Sequence, residues 1–307
     1  MEGLIKEELI KRRGYIATLE AGYRFFTDNF KTIIKHMWPY ALIFGVVMGI
    51  FEIVQLNTAI SGGEDLSDVA GTLIMLPILF IAIFLLDGRM LMLFNDKPFK
   101  WNVIRYIKLF LWLMLIITVL TLIAGSIIAI SAVGAGAGDD GTGMIRAGAL
   151  SILIFIALLI VVFIPYVYPA MKYMVEPQTH FRNLIFKGWK KGFKHWGYIF
   201  VTVLLLYLCI MVISLIISIP LAVCTFAQNL SVSGVLEGDA SGMPSYFSII
   251  FFIVAVLTFF VYAFVNVFSF AVSYYMYGNI EAYEREKEQQ LQPIEPAADE
   301  APENTVY

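Results

Sequence analysis

Six apolar runs limit what this chain can become. They lie at about 38–60, 70–94, 107–133, 147–174, 197–226 and 246–278, and each reaches the roughly 20 residues a helix needs to cross about 30 Å of hydrocarbon. Backbone amides in lipid must be paired inside the segment or around a closed barrel. The runs are continuously apolar rather than alternating, so they select helices. The whole chain agrees: 60% of its 307 residues are hydrophobic, 15% are charged and mean hydropathy is +0.80, where soluble domains are about half apolar. The fold class expected is therefore an all-α integral membrane protein with six transmembrane helices. The last four runs exceed the minimum, which calls for tilt, kinks or extension beyond the bilayer. The first thirty-six residues are polar and amphipathic, so no signal peptide is expected and the first span itself directs insertion.

Lys and Arg mark the two sides. Counted segment by segment from the N-terminus, they number seven, none, five, one, six, none and two. One face thus holds twenty and the other one, which under the positive-inside rule puts both termini in the cytoplasm. An odd number of spans would break this alternation. Three regions follow: a cytoplasmic N-terminus at 1–37 with an amphipathic helix, a membrane domain at 38–283, and a disordered acidic cytoplasmic tail at 284–307, whose Gln, Pro and charge lack apolar periodicity. The outer loops carry Glu64, Asp65, Asp68, Asp139, Asp140, Glu237 and Asp239. They offer a conceivable cation site, or simply the flexible acidic loops left when Lys and Arg are excluded. Asn229-Leu-Ser231 has glycosylation spacing. Cys209 and Cys224 stand fifteen residues apart in one run, about 22 Å on a helix, too far for a disulfide.

The chain also repeats itself. Shifted by 163 residues, YRFFTDNFKTI at 23–33 falls on FKGWKKGFKHW at 186–196, pairing Phe26 with Trp189, Phe30 with Phe193, Asn29 with Gly192 and Lys31 with Lys194. At 100° per residue Trp189, Phe193 and Trp196 share one face, and Lys187, Lys190, Lys191 and Lys194 cover the other. Phe26, Phe30 and Ile33 form the equivalent face of the first copy, opposite Arg24, Asp28, Lys31 and Lys35. Each copy reads as an in-plane amphipathic helix on the cytoplasmic surface, with aromatic anchors in the acyl boundary and ammonium groups toward anionic headgroups. PFKWNVIRYIKLF at 98–110 is a less regular third copy. The six spans then form three hairpin repeats entered from the same side, a parallel arrangement unlike the inverted repeats of many transporters.

Several residues carry candidate chemistry. Pro165 and Pro169 remove hydrogen bonds near the end of span 4, where Tyr166, Tyr168, Tyr173 and the i,i+4 pair Lys172 and Glu176 form either a functional mouth or an interfacial aromatic belt with an ion pair. Glu52 is the one carboxylate well inside a predicted span, with Gln55 nearly one turn on. It reads as a transport residue, or as an acid satisfied by water near the outer surface. Asp87 and Arg89 read as a boundary pair, and Asn266 as an interhelical hydrogen bonder. Gly45 and Gly49 make a GxxxG face for helix packing, within the bundle or in a homo-oligomer. His36, His180 and His195 are scattered, so no metal site is expected. Zinc-type His pairs, a nucleophile elbow, a P-loop and paired intramembrane aspartates are all missing. Nucleic acid is not an expected partner, because the aromatic face of residues 187–196 is needed by the membrane.

The stretch YVYPAMKYMVEPQTHFRNLIFKGWKKGFKHWGYIF at 166–200 and the closing SYYMYGNIEAYEREKE resemble a bacterial superfamily of six-helix membrane proteins. It includes the membrane domain of glycerophosphodiester phosphodiesterases. The resemblance covers organisation over most of the chain. It carries over no catalytic residue, since the phosphodiesterase chemistry of those relatives belongs to a separate soluble domain absent from this sequence.

The expectation is thus a non-enzymatic, cofactor-free protein of a bacterial cytoplasmic (inner) membrane. Its partners are inner-leaflet lipids, which Lys31, Lys35, Lys187, Lys190, Lys191 and Lys194 contact, and its role is to organise or sense the membrane. A small transporter or channel using Glu52 and the Pro-kinked span 4, and a scaffold for a partner membrane protein, are the alternatives.

Overall fold

The computed structural model describes residue 4 and residues 6–60, 66–134, 142–238, 242–244 and 246–291. Among these residues the regular structure is helical throughout. The helices are α1 (Tyr15–Asp28), α2 (Phe30–Ile60), α3 (Leu66–Leu91), α4 (Phe99–Gly134), α5 (Thr142–Val175), α6 (Phe181–Asn183), a π-helical turn (Leu184–Gly188), α7 (Trp189–Lys194), α8 (Trp196–Leu236) and α9 (Phe247–Leu291). Six of them, α2, α3, α4, α5, α8 and α9, are long and apolar enough to cross a membrane, and they match the six apolar runs one for one. Cys209 and Cys224 both lie on the unbroken α8 as free thiols.

α9 is the element against which the others are arranged. α2, α1, α8 and α5 all pack on it, while α2 also meets α3, α3 meets α4 and α4 meets α5. The contacts are close because glycines stand at them. A Cβ at Gly45 would come within 2.7 Å of the Val256 carbonyl oxygen, one at Gly49 within 2.8 Å of the Val256 side chain, and one at Gly22 within 2.5 Å of Val272. The GxxxG face is therefore occupied inside the bundle by α9.

The buried core lies in the half of the bundle that holds α1 and the C-terminal half of α9. It comprises Phe25, Ile33, Met37, Leu86 to Phe94, Tyr166 to Met174, Ile199 and the α9 face from Ala263 to Ile280. Phe94 anchors it, with ring centroids 5.0 Å from Phe25, 4.8 Å from Phe270 and 5.2 Å from Tyr274. Toward the other end Leu73, Ile74, Leu122, Leu153, Leu215 and Ile216 are exposed.

Three expectations change. α1 does not lie alone in the surface plane: it packs along α9, burying Thr18, Ala21, Gly22 and Phe25. Its buried face is thus the Phe25 side, where Gly22 permits contact, and Phe30 stays exposed. Next, α9 is helical to Leu291, so residues 284–291 of the expected disordered tail are ordered; residues 292–307 lie outside the described residues. Last, the basic stretch at 98–110 has no separate helix before its span, because α4 runs unbroken from Phe99. The N-terminal basic stretch and the one at 186–196 do share one feature. α1 and α2 are separated by the single residue Asn29 (φ −105°, ψ 10°), and α7 and α8 by His195 (φ −104°, ψ 18°).

The outer-loop carboxylates Glu64, Asp65, Asp139, Asp140 and Asp239 lie outside the described residues. Asn229 and Ser231 sit within α8.

Gly45→Leu should lower thermal stability in detergent by about 1–3 kcal/mol through overpacking against α9. Gly125→Ala, at a helix position with nothing within 4 Å, should leave the melting temperature unchanged or slightly raised.

Candidate functional site

α5 carries two prolines in its last third, and the chain that follows uses them. Pro169 has no N–H, so the Pro165 carbonyl one turn earlier loses its helical partner. Gly192 is packed directly against that carbonyl, where any Cβ would collide with it, and a Cβ at Gly188 would come within 2.5 Å of the Pro169 ring. Glycines at i and i+4 thus seat on prolines at i and i+4. Tyr166 receives the Trp112 Nε1 hydrogen at 3.2 Å, and Trp189 donates Nε1 to the Val162 carbonyl at 3.4 Å.

This docking folds the lysine-bearing segment over the end of α5. A cavity of about 190 Å³ results, lined by Tyr168, Pro169, Lys172, Thr179, Asn183, Lys187 and Lys191 among others. Its lysines come from three elements: Lys172 from α5, Lys187 from the π-helical turn and Lys191 from α7. π-Helical turns frequently mark functional sites. Lys187 is exposed and makes no ion pair among the described residues.

One carboxylate organises the floor. Glu281 of α9 accepts a hydrogen bond from the Tyr168 hydroxyl, lies 2.8 Å from Lys172 Nζ and 3.5 Å from Lys191 Nζ. Lys191 also stands 5.7 Å from the Tyr168 ring centroid. Beside it Glu176 accepts from the Tyr277 hydroxyl and, at 2.9 Å, from Thr179 Oγ1, with Lys172 Nζ 3.8 Å away. Three lysines against two carboxylates leave one net positive charge around the cavity. Further along α9, Glu284 lies 2.8 Å from Lys194 Nζ and 2.7 Å from His195 Nε2, and its hydrogen bond raises the Lys194 ammonium above the ordinary lysine range.

α4 fixes the loop between α5 and α6. Arg105, buried between the rings of Trp101 (4.3 Å) and Tyr173 (4.0 Å), donates to the carbonyls of Glu176 at 3.0 Å, Pro177 at 3.3 Å and Thr179. All three follow Val175, the last residue of α5. Asn95 and Asn102 exchange amide hydrogen bonds at 2.8 and 3.1 Å, and Asn95 also donates to the Met174 carbonyl.

The structure thus brings together Pro165, Pro169, Lys172, Glu176, Lys187 and Lys191, which the sequence treats as two separate sites. Lys190 is exposed outside the cavity, and Lys194 is committed to Glu284. Lys31 and Lys35 are exposed on the first turns of α2, apart from it. The aromatic anchors divide differently from expectation. The break at His195 assigns Trp196 to α8, where it stacks on Phe200 at 5.0 Å, while half-buried Trp189 packs 5.4 Å from exposed Phe193. Phe26 is half-buried, edge-on to exposed Phe30 at 5.5 Å.

Glu52 and Gln55 are half-buried toward the far end of α2, so they do not share a site with the α5 group at the near end. Asp87 and Arg89 are not a pair. Asn266 donates to Asp87 at 2.8 Å, and Arg89 donates to His36 Nδ1 at 2.9 Å and lies 5.6 Å from the Tyr40 ring. The sequence reads Asp87 as half of a boundary pair and misses its burial within the bundle; Asn266, an amide facing it from another span, was its signal. Glu281 was missed too, although Glu281-x-x-Glu284 complements the lysines of 187–194. Among the described residues no group of three or more His, Cys, Asp or Glu could hold a metal ion.

Family models, curated proteins and solved structures give no match to this chain.

Removing the floor carboxylate should be costly. Glu281→Ala leaves Lys191 and Tyr168 without their carboxylate and Lys172 with Glu176 alone at 3.8 Å, and should destabilise the protein by about 1–3 kcal/mol. Glu286→Ala, which breaks only the exposed 3.0 Å pair with Arg12, should cost less than about 1 kcal/mol. Thermal melts of the purified variants compare the two.

Proposed function

We propose that this is a non-catalytic protein of a bacterial cytoplasmic membrane that binds anionic phospholipid at the inner leaflet, holding the headgroup in the cavity between α5 and residues 183–191. The observation that carries this reading is the convergence of Lys172, Lys187 and Lys191 on one cavity at the end of α5, beside Glu281 of α9. Basic pockets between transmembrane helices on the cytoplasmic side suit lipid headgroups. Thr179, Asn183 and the Tyr168 edge add hydrogen-bonding groups around the ammonium charges. Glu281 orients Lys172 and Lys191 without neutralising Lys187, so the rim remains the anion-seeking part.

The orientation supporting this role comes from charge: twenty Lys and Arg on the near side against one on the far side. Membrane organisation or sensing then follows from occupancy of the site. The likeness of residues 166–200 to the glycerophosphodiester phosphodiesterase membrane domain adds a family setting in which a membrane domain carries no chemistry of its own.

Native mass spectrometry of the full-length protein with phosphatidylglycerol and phosphatidylcholine tests the reading. The wild type should retain phosphatidylglycerol preferentially. Lys187→Gln with Lys191→Gln should weaken that retention by about 2 kcal/mol, roughly 30-fold, at about 1 kcal/mol per lysine. Equal retention of the two lipids by wild type and variant refutes it. For orientation, thiols placed singly by Gly62→Cys and Gln290→Cys in a chain without Cys209 and Cys224 should differ in intact cells: an impermeant maleimide should label the first and spare the second.

A further inference from the structure

A second, larger recess opens on another side of the bundle. It has a volume of about 770 Å³, within the 300–1,000 Å³ usual for ligand sites. Its walls are α1 with the first turns of α2 on one side and α8 on the other, with α9 behind. Tyr23, Phe26, Phe30, Cys209, Ile213 and Phe264 represent the lining, in which Glu20 is the one charged residue. α1 and α8 touch at the bottom, where Tyr15 stacks on Tyr198 at 5.4 Å and Thr18 Oγ1 lies 2.7 Å from the Tyr198 hydroxyl. Above that point α1 and α8 diverge, and the recess faces the membrane.

Its depth and polarity identify an occupant. Along α9 it runs from Phe268 to Phe260, eight residues or about 12 Å, close to the roughly 15 Å that one leaflet contributes to a hydrocarbon core of about 30 Å. Its one charged lining residue, Glu20, stands at the end where α1 meets α8. Glu20 is paired with Arg24 at 2.6 Å, and Asp28, Lys31 and Lys35 are exposed. Lys31 follows Phe30, and Lys35 follows Ile34, and both of those apolar neighbours line the recess. Three cations against two carboxylates leave the mouth net positive.

We infer that this recess is a lateral lipid site that takes one acyl chain of an anionic inner-leaflet phospholipid, with the phosphate at Lys31 and Lys35. The inference rests on the bilayer placement used above and is independent of the cavity beside α5. The chain lies against α9 and between the diverging α1 and α8. The headgroup stays outside, at the level of the lysines. Burial of apolar surface favours the chain over a water-filled gap, and the aromatic walls set its width.

Photo-crosslinking of the full-length protein in phosphatidylcholine nanodiscs, with a phosphatidylglycerol probe carrying a diazirine near the acyl terminus, tests this. Labelling should concentrate severalfold on residues 209–217 and 260–268 over the equally lipid-facing Leu73, Ile74 and Ile81 of α3, which are 62%, 64% and 57% exposed. Ile213→Trp, which fills the recess, should abolish that excess while preferential retention through Lys187 and Lys191 persists. Lys31→Gln with Lys35→Gln should reduce it severalfold. A second readout needs no variant of the walls: alkylation of native Cys209 by a membrane-permeant maleimide in detergent should slow on adding phosphatidylglycerol, with Cys224 unaffected. Even labelling of all lipid-facing helices, meaning annular lipid only, overturns the site. So does a Cys209 rate that phosphatidylglycerol leaves unchanged. Equal excess from a phosphatidylcholine probe overturns the assignment of an anionic headgroup.

Discussion

Close approach to α9 is the interaction on which this molecule depends. Lipid tails are as apolar as leucine, so the hydrophobic effect that gathers helices in water does little inside a bilayer, and contact surface must do the work. α9 provides it over most of its 45 residues. Gly45 and Gly49 bring α2 against its middle, and Gly22 brings α1 against Val272. Gly278 of α9 itself admits the Leu9 carbonyl. Each glycine trades side-chain contact for backbone proximity at a place where bulk would separate the helices. Toward the far end the helices are less closely packed and expose their side chains to the membrane.

Several buried polar groups within this frame find hydrogen-bond partners in the protein. Asn95 with Asn102, and Asp87 with Asn266, each join one segment to another, and a lost partner in such a setting would strand a desolvated group. Arg105 shows the same logic at a helix end, its guanidinium held flat between two rings while it serves three carbonyls. These contacts select one register of α3, α4, α5 and α9 among several that apolar packing alone would tolerate.

Much of this was legible in the sequence, for reasons of scale. Apolar runs of twenty residues have one physical solution in lipid, and GxxxG at 45–49 marks a helix-packing face, whose partner the structure identifies as α9. The pairing of Lys172 with Glu176 was readable because it is local. What escaped was everything that depends on a partner far along the chain. Residues 284–291 look disordered until Lys194 and His195 are known to meet Glu284, and α1 looks amphipathic toward lipid until Gly22 is placed on Val272. Asp87 and Arg89 seem to pair because they are neighbours, yet they leave the helix on different sides and meet Asn266 and His36. The cavity was half visible: its lysines and its prolines were each singled out, but only the seating of Gly188 and Gly192 on Pro169 and Pro165 joins them.

That seating also orders events in time. Pro165 enters the membrane with a carbonyl its own helix cannot pair, and the residue that covers it, Gly192, is twenty-seven positions further on. The ribosome therefore releases α5 into the membrane as an unfinished helix. Its completion waits for the π-helical turn and α7 to be made, because Gly188 and Gly192 lie on them. The short basic segment is thus a closing part of the span before it, and an insertion between Val175 and Gly188 would act on α5 before it acted on anything downstream.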